Sequence, residues 1–333
     1  MSDSSQSLKR KIQVGSVGFM MGAADLVPGV SGGTIAFIFG IYEELIYSIK
    51  VMTGEFLRLV IKGRFVEAWK KIPFSFLVPL ALGLGVAVLS LASLLVHLLE
   101  HYQPYVFAFF FGLVLASIQL VSKRVVTWDF HDKAGLMLAA VAAYWIVGAV
   151  PVSTPDTPLM FFLSGAIAIC AMILPGISGS FLLLIMGKYE QIVHAVSDRD
   201  FFVLGLVALG AVIGLAFFSR LLNWLFTKHH DIVVATLTGF MIGSLRKLWP
   251  WKEILSTRIN SKGVEVTLQD ANVLPAQFDS TVLLIIGLAV MGYFLITLLN
   301  RWHVTAERTE DVASTSFKKK HKAALESEEH REI

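Results

Sequence analysis

Charge is scarce in this chain: only 16% of its 333 residues are Asp, Glu, Lys or Arg, against about 25% in ordinary soluble domains. The charges that exist are gathered in connections and in the C-terminal tail, which leaves long stretches with none. Cysteine is scarcer still. The single thiol, Cys170, excludes an intrachain disulfide framework and any cysteine-built metal cage. No Walker loop occurs, so ATP hydrolysis by this chain is not expected. The net charge of +3 is too small to argue for nucleic acid. His97 and His101 stand four apart around Glu100, but no third metal ligand accompanies them, and His229-His230 reads as a solvated pair in a short loop. No metal and no cofactor are expected.

What is abundant is apolar surface, at 55% of residues. The uncharged runs Phe74–Val96, Tyr105–Ser122, Ala134–Val150, Phe201–Ser219 and Val282–Asn300 can each cross about 30 Å of hydrocarbon as helix, and Ile232–Leu245 does so with help from flanking residues. Two further regions, Val14–Ile41 and Phe161–Gly187, behave differently. In each, an apolar arm reaches a Pro-Gly-x-Ser-Gly break, and too few residues follow before charge returns to cross the bilayer again. These read as re-entrant hairpins, whose irregular backbone must be sheltered by protein or a polar cavity. Lys9, Arg10 and Lys11 ahead of an apolar run resemble a signal peptide, but the segment that follows recurs later in the chain, so it is read as membrane domain.

Six crossings and two hairpins, with the N-terminus cytoplasmic, place Lys9–Lys11, the Lys50–Lys71 connection, Lys123–Lys133, Lys228 and the Arg301–Lys322 tail inside. The His97–Gln103 and Pro151–Pro158 loops fall outside and lack Lys and Arg, as the positive-inside tendency requires. Arg246–Asp279, a long basic loop, falls outside against the tendency. Gly54–Pro73 reads as a basic amphipathic helix on the cytoplasmic leaflet. The expected organisation is a cytoplasmic N-terminus (1–13), a first membrane repeat (14–150, carrying the insertion 54–73), a second membrane repeat (151–303) and a disordered cytoplasmic tail (304–333).

The repeat is read directly. Leu26-Val-Pro-Gly-Val-Ser-Gly-Gly33 returns as Ile173-Leu-Pro-Gly-Ile-Ser-Gly-Ser180, and Gly40-x-Tyr42-Glu43 returns as Gly187-x-Tyr189-Glu190 at the same offset of 147. Ala116-Ser117 is echoed by Gly243-Ser244. Three crossings separate the hairpins, an odd number, so the copies enter from opposite faces. The expected fold is therefore all-α and polytopic, an inverted repeat of two halves, each a re-entrant hairpin plus three transmembrane helices, as in secondary transporters.

The loops suggest their own chemistry. Pro28 and Pro175 end the inward arms, Gly29 and Gly176 permit the turn, and Ser31 and Ser178 can N-cap the outward half-helices. Gly32, Gly33 and Thr34, with Gly179 and Ser180 opposite, would then present backbone N–H groups at two electropositive helix ends, a cradle for phosphate. Tight packing of Gly-rich turns is the plainer alternative. Asp25 is costly at membrane depth unless paired or functional. Glu43 and Glu190, with Tyr42 and Tyr189, are either interfacial anchors or gating and proton-relay groups. Arg246 can reach a phosphate through a bidentate fork or snorkel to the interface.

Asp25-x-x-Pro28-Gly29-x-Ser31-Gly32-Gly33-Thr34, the Gly40-x-Tyr42-Glu43 continuation, Pro175-Gly-Ile-Ser-Gly179 and Gly243-Ser-Leu-Arg-Lys-Leu-Trp-Pro-Trp251 together resemble the bacterial polyprenyl-phosphate translocase family. The resemblance covers nearly the whole chain except its termini. It implies an inner-membrane carrier that moves undecaprenyl phosphate from the outer to the inner leaflet for reuse in cell-envelope synthesis, with the phosphate as the bound group and the isoprenoid tail left in lipid. Undecaprenyl pyrophosphate phosphatases share hairpins with a Pro-Gly-x-Ser loop, but there an arginine follows the serine. Here Gly32 and Gly179 take its place, so developing phosphoryl charge lacks its main stabiliser. A transporter of another anion is the third reading.

Overall fold

The computed structural model describes residues 2–27, 29–152, 154–259 and 265–301; Pro28 and the expected tail 304–333 lie outside the described residues. Every apolar run becomes helix, because only a helix satisfies its own backbone in lipid. The first arm is α1 (Ser2–Asp25), followed by a turn and the short α2 (Gly32–Ile38), then α3 (Tyr42–Val51). The insertion is not one amphipathic helix. After a π-helical turn at Met52–Phe56 it forms α4 (Leu57–Ile61) and α5 (Phe65–Lys71). The break falls at Gly63, whose φ of +72° ends the helix in the left-handed region. Ile61, Phe65, Val66 and Trp69 are exposed along these pieces.

Three long helices follow, α6 (Phe74–His101), α7 (Gln103–Ser122) and α8 (Phe130–Val147). The second half repeats the order: α9 (Pro158–Ile173), the short α10 (Gly179–Ile185), α11 (Tyr189–Ser197), α12 (Phe201–Lys228) and α13 (His230–Leu248). The basic loop after α13 is not irregular. It pairs β1 (Lys252–Ile259) with β2 (Glu265–Asn272) as an antiparallel hairpin, Lys252 opposite Asn272. The last crossing is α14 (Ser280–Arg301). Four of these helices, α6, α7, α12 and α14, are long and apolar enough to span a bilayer outright, and α6 and α12 expose leucines and phenylalanines such as Leu89 and Phe217 outward. The chain is a multi-pass membrane protein of the all-α class, with a small β-hairpin among its described residues.

The two halves repeat locally down to their turns. Gly29 and Gly176 both take positive φ, +88° and +86°, as do Gly40 and Gly187. Each seven-residue half-helix ends in the same pair of bonds, Ile41 N to Ala36 O and Gly40 N to Phe37 O in one, Lys188 N to Leu183 O and Gly187 N to Leu184 O in the other. That pairing is the Schellman closure, which needs a glycine at the left-handed position.

Packing repeats as well. The long arm α1 lies along α6, and α9 lies along α12. Glycines set both contacts: a Cβ on Gly83 would overlap the Gly15 carbonyl, and one on Gly210 would overlap the Phe162 carbonyl. Between halves, α13 packs on α8, with Gly135 beside Ile232 and Thr236 and Gly243 beside Ala140 and Ala143, so those helices run in the same direction. Correspondingly, Gly112 of α7 meets Ala289 of α14. The core sits where α2, α7 and α13 converge: all seven residues of α2 are buried, with Phe107, Val114, Leu237 and Met241 around them.

Candidate functional site

The two broken hairpins touch at their tips. Ser31 Oγ donates to the Met172 carbonyl at 3.3 Å, Tyr42 Oη donates to the Ile173 carbonyl at 3.1 Å, and the Gly176 N–H donates to Thr34 Oγ1 at 3.1 Å. Three bonds thus tie the last turn of α9 and the second loop to the first loop, α2 and the start of α3. Closeness is made possible by Gly33, where a Cβ would stand 2.8 Å from the Ile173 carbonyl oxygen. Both loops also rest on α13. Gly29 packs against the Lys247 stem and Gly176 against Ser244.

The mouths of the hairpins lie at opposite ends of α13. Near its start, Glu43 stands 3.6 Å from His230 Nε2, Arg10 pairs with Glu44 at 2.9 Å, and Arg124 Nη2 closes the end of α2 through the Ile38 carbonyl at 2.8 Å. Toward the far end, Val152 N donates to Ile185 O at 2.8 Å, and the fully buried Lys188 donates to Asp156 at 2.5 Å and to the Thr154 carbonyl at 3.1 Å. The Lys188 ammonium also sits 4.7 Å from the centre of the Phe161 ring. Its hydrogen bond to Asp156 holds that exposed carboxyl below the usual range.

The half-helix ends differ in their electrostatics. At α2, Asp25 Oδ1 accepts from Gly32 N at 2.6 Å and Ser31 Oγ accepts from Gly33 N at 3.1 Å. The N–H groups expected to be open there are therefore already bonded, one of them to a carboxylate that complements the positive helix end. At α10, Met172 replaces that carboxylate, Ser178 Oγ and Ser180 Oγ bond to one another at 2.8 Å, and among the described residues no hydrogen bond reaches the N–H of Gly179 or Ser180. Pro175 and Gly179 are buried and Ser180 is exposed. Burial separates the tyrosines too: Tyr42 is enclosed by Phe37 and Phe226, whereas Tyr189 is exposed beside a half-buried Glu190.

Arg246 does not join the loops. Its guanidinium lies 4.4 Å from the Tyr144 ring centre and donates to the Tyr144 carbonyl at 3.0 Å, on α8. Its neighbour does join them. Lys247 carries its stem past Gly29, sets its ammonium 5.4 Å from the Phe181 ring centre on α10, and pairs with Asp270 of the β-hairpin at 3.2 Å. Lys252 pairs with the other oxygen of Asp270 at 3.1 Å. Lys247, Phe181, Lys252 and Asp270 wall a cavity of about 590 Å³ together with Gln103, Phe107, Gly148 and Leu184. The Arg-Lys pair was visible in the sequence; successive helical residues point about 100° apart, so only one of the two could face the loops. The other residues that sequence reasoning missed are Lys188, the unspecified position of Gly187-x-Tyr189-Glu190, and Asp156 and Asp270, which belong to no motif.

Residues 21–266 match the undecaprenyl phosphate translocase-like family. A polyprenyl-phosphate transporter of Vibrio cholerae is 41% identical over 263 residues, covering 79% of this chain and 85% of that protein. A polyprenyl-phosphate transporter of Staphylococcus aureus is 35% identical over 252 residues, covering 70% and 84%. No solved structure matches. With motifs, paired hairpins and relatives agreeing over most of its length, the chain belongs to the undecaprenyl phosphate translocase-like family.

Proposed function

We propose that this protein is a carrier, not an enzyme, that moves undecaprenyl phosphate from the outer to the inner leaflet of the bacterial cytoplasmic membrane, with both termini in the cytoplasm. The observation that carries the reading is the tip-to-tip contact of two broken hairpins whose mouths open at opposite ends of α13. Such a junction can pass a headgroup from one side to the other while the isoprenoid tail stays in lipid. Helix directions support an inverted repeat. α13 runs with α8, and α8 must oppose α7 if the short 123–129 connection joins two crossings; α13 therefore opposes α7, its counterpart in the first half.

Asymmetry between the mouths supports alternating access. The first half-helix is fully buried, whereas only Gly179 of the second is, and the 590 Å³ cavity lies on the second side. In this reading the phosphate meets Ser178, Gly179 and Ser180 first, and reaches Ser31, Gly32, Gly33 and Thr34 when Asp25 and Ser31 release those N–H groups. Leaflet-resolved translocation of undecaprenyl phosphate in proteoliposomes tests the reading. Transfer should exceed that of protein-free vesicles and accelerate with a pH gradient; transfer at the protein-free rate rejects it.

Asp25 is the carboxylate best placed to couple protons to movement, because protonation removes the charge that holds Gly32 N–H. Asp25→Asn is expected to slow transport roughly tenfold, the rate equivalent of one charge-assisted hydrogen bond, and to abolish its response to a pH gradient. Full transport with an unchanged pH response would remove Asp25 from the coupling role and leave Glu43 and Glu190 as candidates. Cysteines at Ser31 and Ser178 should be labelled from opposite sides of the membrane, and labelling from one side alone overturns the inverted repeat.

A further inference from the structure

The β-hairpin roofs the open cavity, and the charges beneath it form a built cluster. Lys247 and Lys252 contribute two ammonium groups and Asp270 one carboxylate, each oxygen of which takes one lysine, at 3.2 and 3.1 Å. All three side chains are largely buried. Lys252 is further held by Asn272 Oδ1 at 2.8 Å, while Asn272 Nδ2 donates to the Arg246 carbonyl at 3.0 Å. Burial pushes the Lys252 ammonium down from its ordinary value against the attraction of Asp270; burial would raise the Asp270 carboxyl, but the two lysines outweigh it and hold it below its ordinary range.

A carboxylate that bridges two ammonium groups through separate oxygens occupies the place two oxygens of a phosphate monoester would take. The cluster has one cation in excess, so a dianionic phosphate completes its charge better than a single carboxylate does. Lys247 also touches every part that would have to respond: Gly29 of the first loop, Phe181 on the second half-helix and Asp270 on the roof.

Building on the carrier reading, we propose that the roofed cavity is the loading site for a phosphate monoester, where Lys247 and Lys252 receive the phosphate and Asp270 is the resident anion it displaces. Displacement would cut the ion pairs between the roof and α13, so loading and release of the β-hairpin become one event.

The test is isothermal titration of the purified full-length protein with two probes, a short-chain prenyl phosphate and inorganic phosphate. Lys247→Gln and Lys252→Gln should each weaken prenyl phosphate binding about tenfold, whereas Asp270→Asn should tighten it by a few-fold to about tenfold, since charge-assisted contacts are gained only when the competitor is removed. Inorganic phosphate should follow the same order of variants at lower affinity. The sign of the Asp270 effect decides: a merely structural ion pair would give weaker or unchanged binding in Asp270→Asn, and that result overturns the proposal. Equal affinity for the two probes would overturn the lipid headgroup as cargo in favour of free phosphate. Should either lysine variant fail to fold, Asp270→Asn, nearly isosteric, carries the test alone. The binding signs are independent of translocation. Wild-type vesicles that fail to move the lipid reject the carrier reading, whereas vesicles that move it while the three variants bind like wild type reject only this inference.

Discussion

Replacing Gly33 with alanine is expected to reduce transport about a hundredfold without preventing membrane insertion. The added methyl would stand 2.8 Å from the Ile173 carbonyl oxygen and 3.2 Å from Ser31 Oγ. The carbonyl cannot yield cheaply: it is backbone at the end of α9, and it already accepts from Tyr42. The hairpins must therefore part, and the bonds Ser31 to Met172, Tyr42 to Ile173 and Gly176 to Thr34 all span the gap that opens. At about 1 kcal/mol for each hydrogen bond lost, the junction weakens by about 3 kcal/mol, which corresponds to about a hundredfold in rate where the closed junction is required. Gly205→Ala is the matched control. It lies on the exposed face of α12, where a Cβ meets nothing within 4 Å, and should transport like wild type. Leaflet-resolved transfer by Gly33→Ala at the wild-type rate would mean that the tips need not touch for passage.

That junction was legible in the sequence as an offset of 147 between two loops, and so were the four long apolar spans α6, α7, α12 and α14, because long apolar runs have one solution in lipid. What could not be read was which partner each loop group would choose. Composition shows that Gly32, Gly33 and Thr34 can present N–H groups; it does not show that Asp25, seven residues earlier, folds back onto Gly32. Nor does the motif distinguish Arg246 from Lys247, since that depends on the rotation of α13 against α8, set by Gly239 and Gly243. The β-hairpin escaped for a different reason. Its strands alternate only weakly, as in Lys252-Glu-Ile-Leu-Ser-Thr-Arg-Ile259, and its register is irregular around Ser256, so a long polar loop was the natural reading. The insertion at 54–73 was read from its amphipathic composition, which carries across the break at Gly63 while the backbone does not.

Glycines that look like loop residues in the sequence do their largest work inside the spans. Gly83→Leu and Gly210→Leu should each detach one hairpin and leave the other in place. On α6, Gly83 lies over the Gly15 carbonyl, and Gly18 and Gly22 of α1 face Leu80 and Leu84 in the same seam. On α12, Gly210 lies over the Phe162 carbonyl, with Gly214 beside Ala166 and Gly165 of α9 beside Val207. Without a hydrophobic drive between helices in lipid, such backbone approach is what makes the arms adhere, and overfilling it costs on the order of 3 kcal/mol. A local opening of that size raises thiol reactivity about a hundredfold. Reporter cysteines separate the two cases: in Gly83→Leu the cysteine of Ser31→Cys should become reactive while that of Ser178→Cys keeps its wild-type rate, and in Gly210→Leu the order should reverse. Equal exposure of both reporters in either variant would mean that the membrane core opens as one unit and the hairpins have no independence, in which case they cannot serve as separate gates.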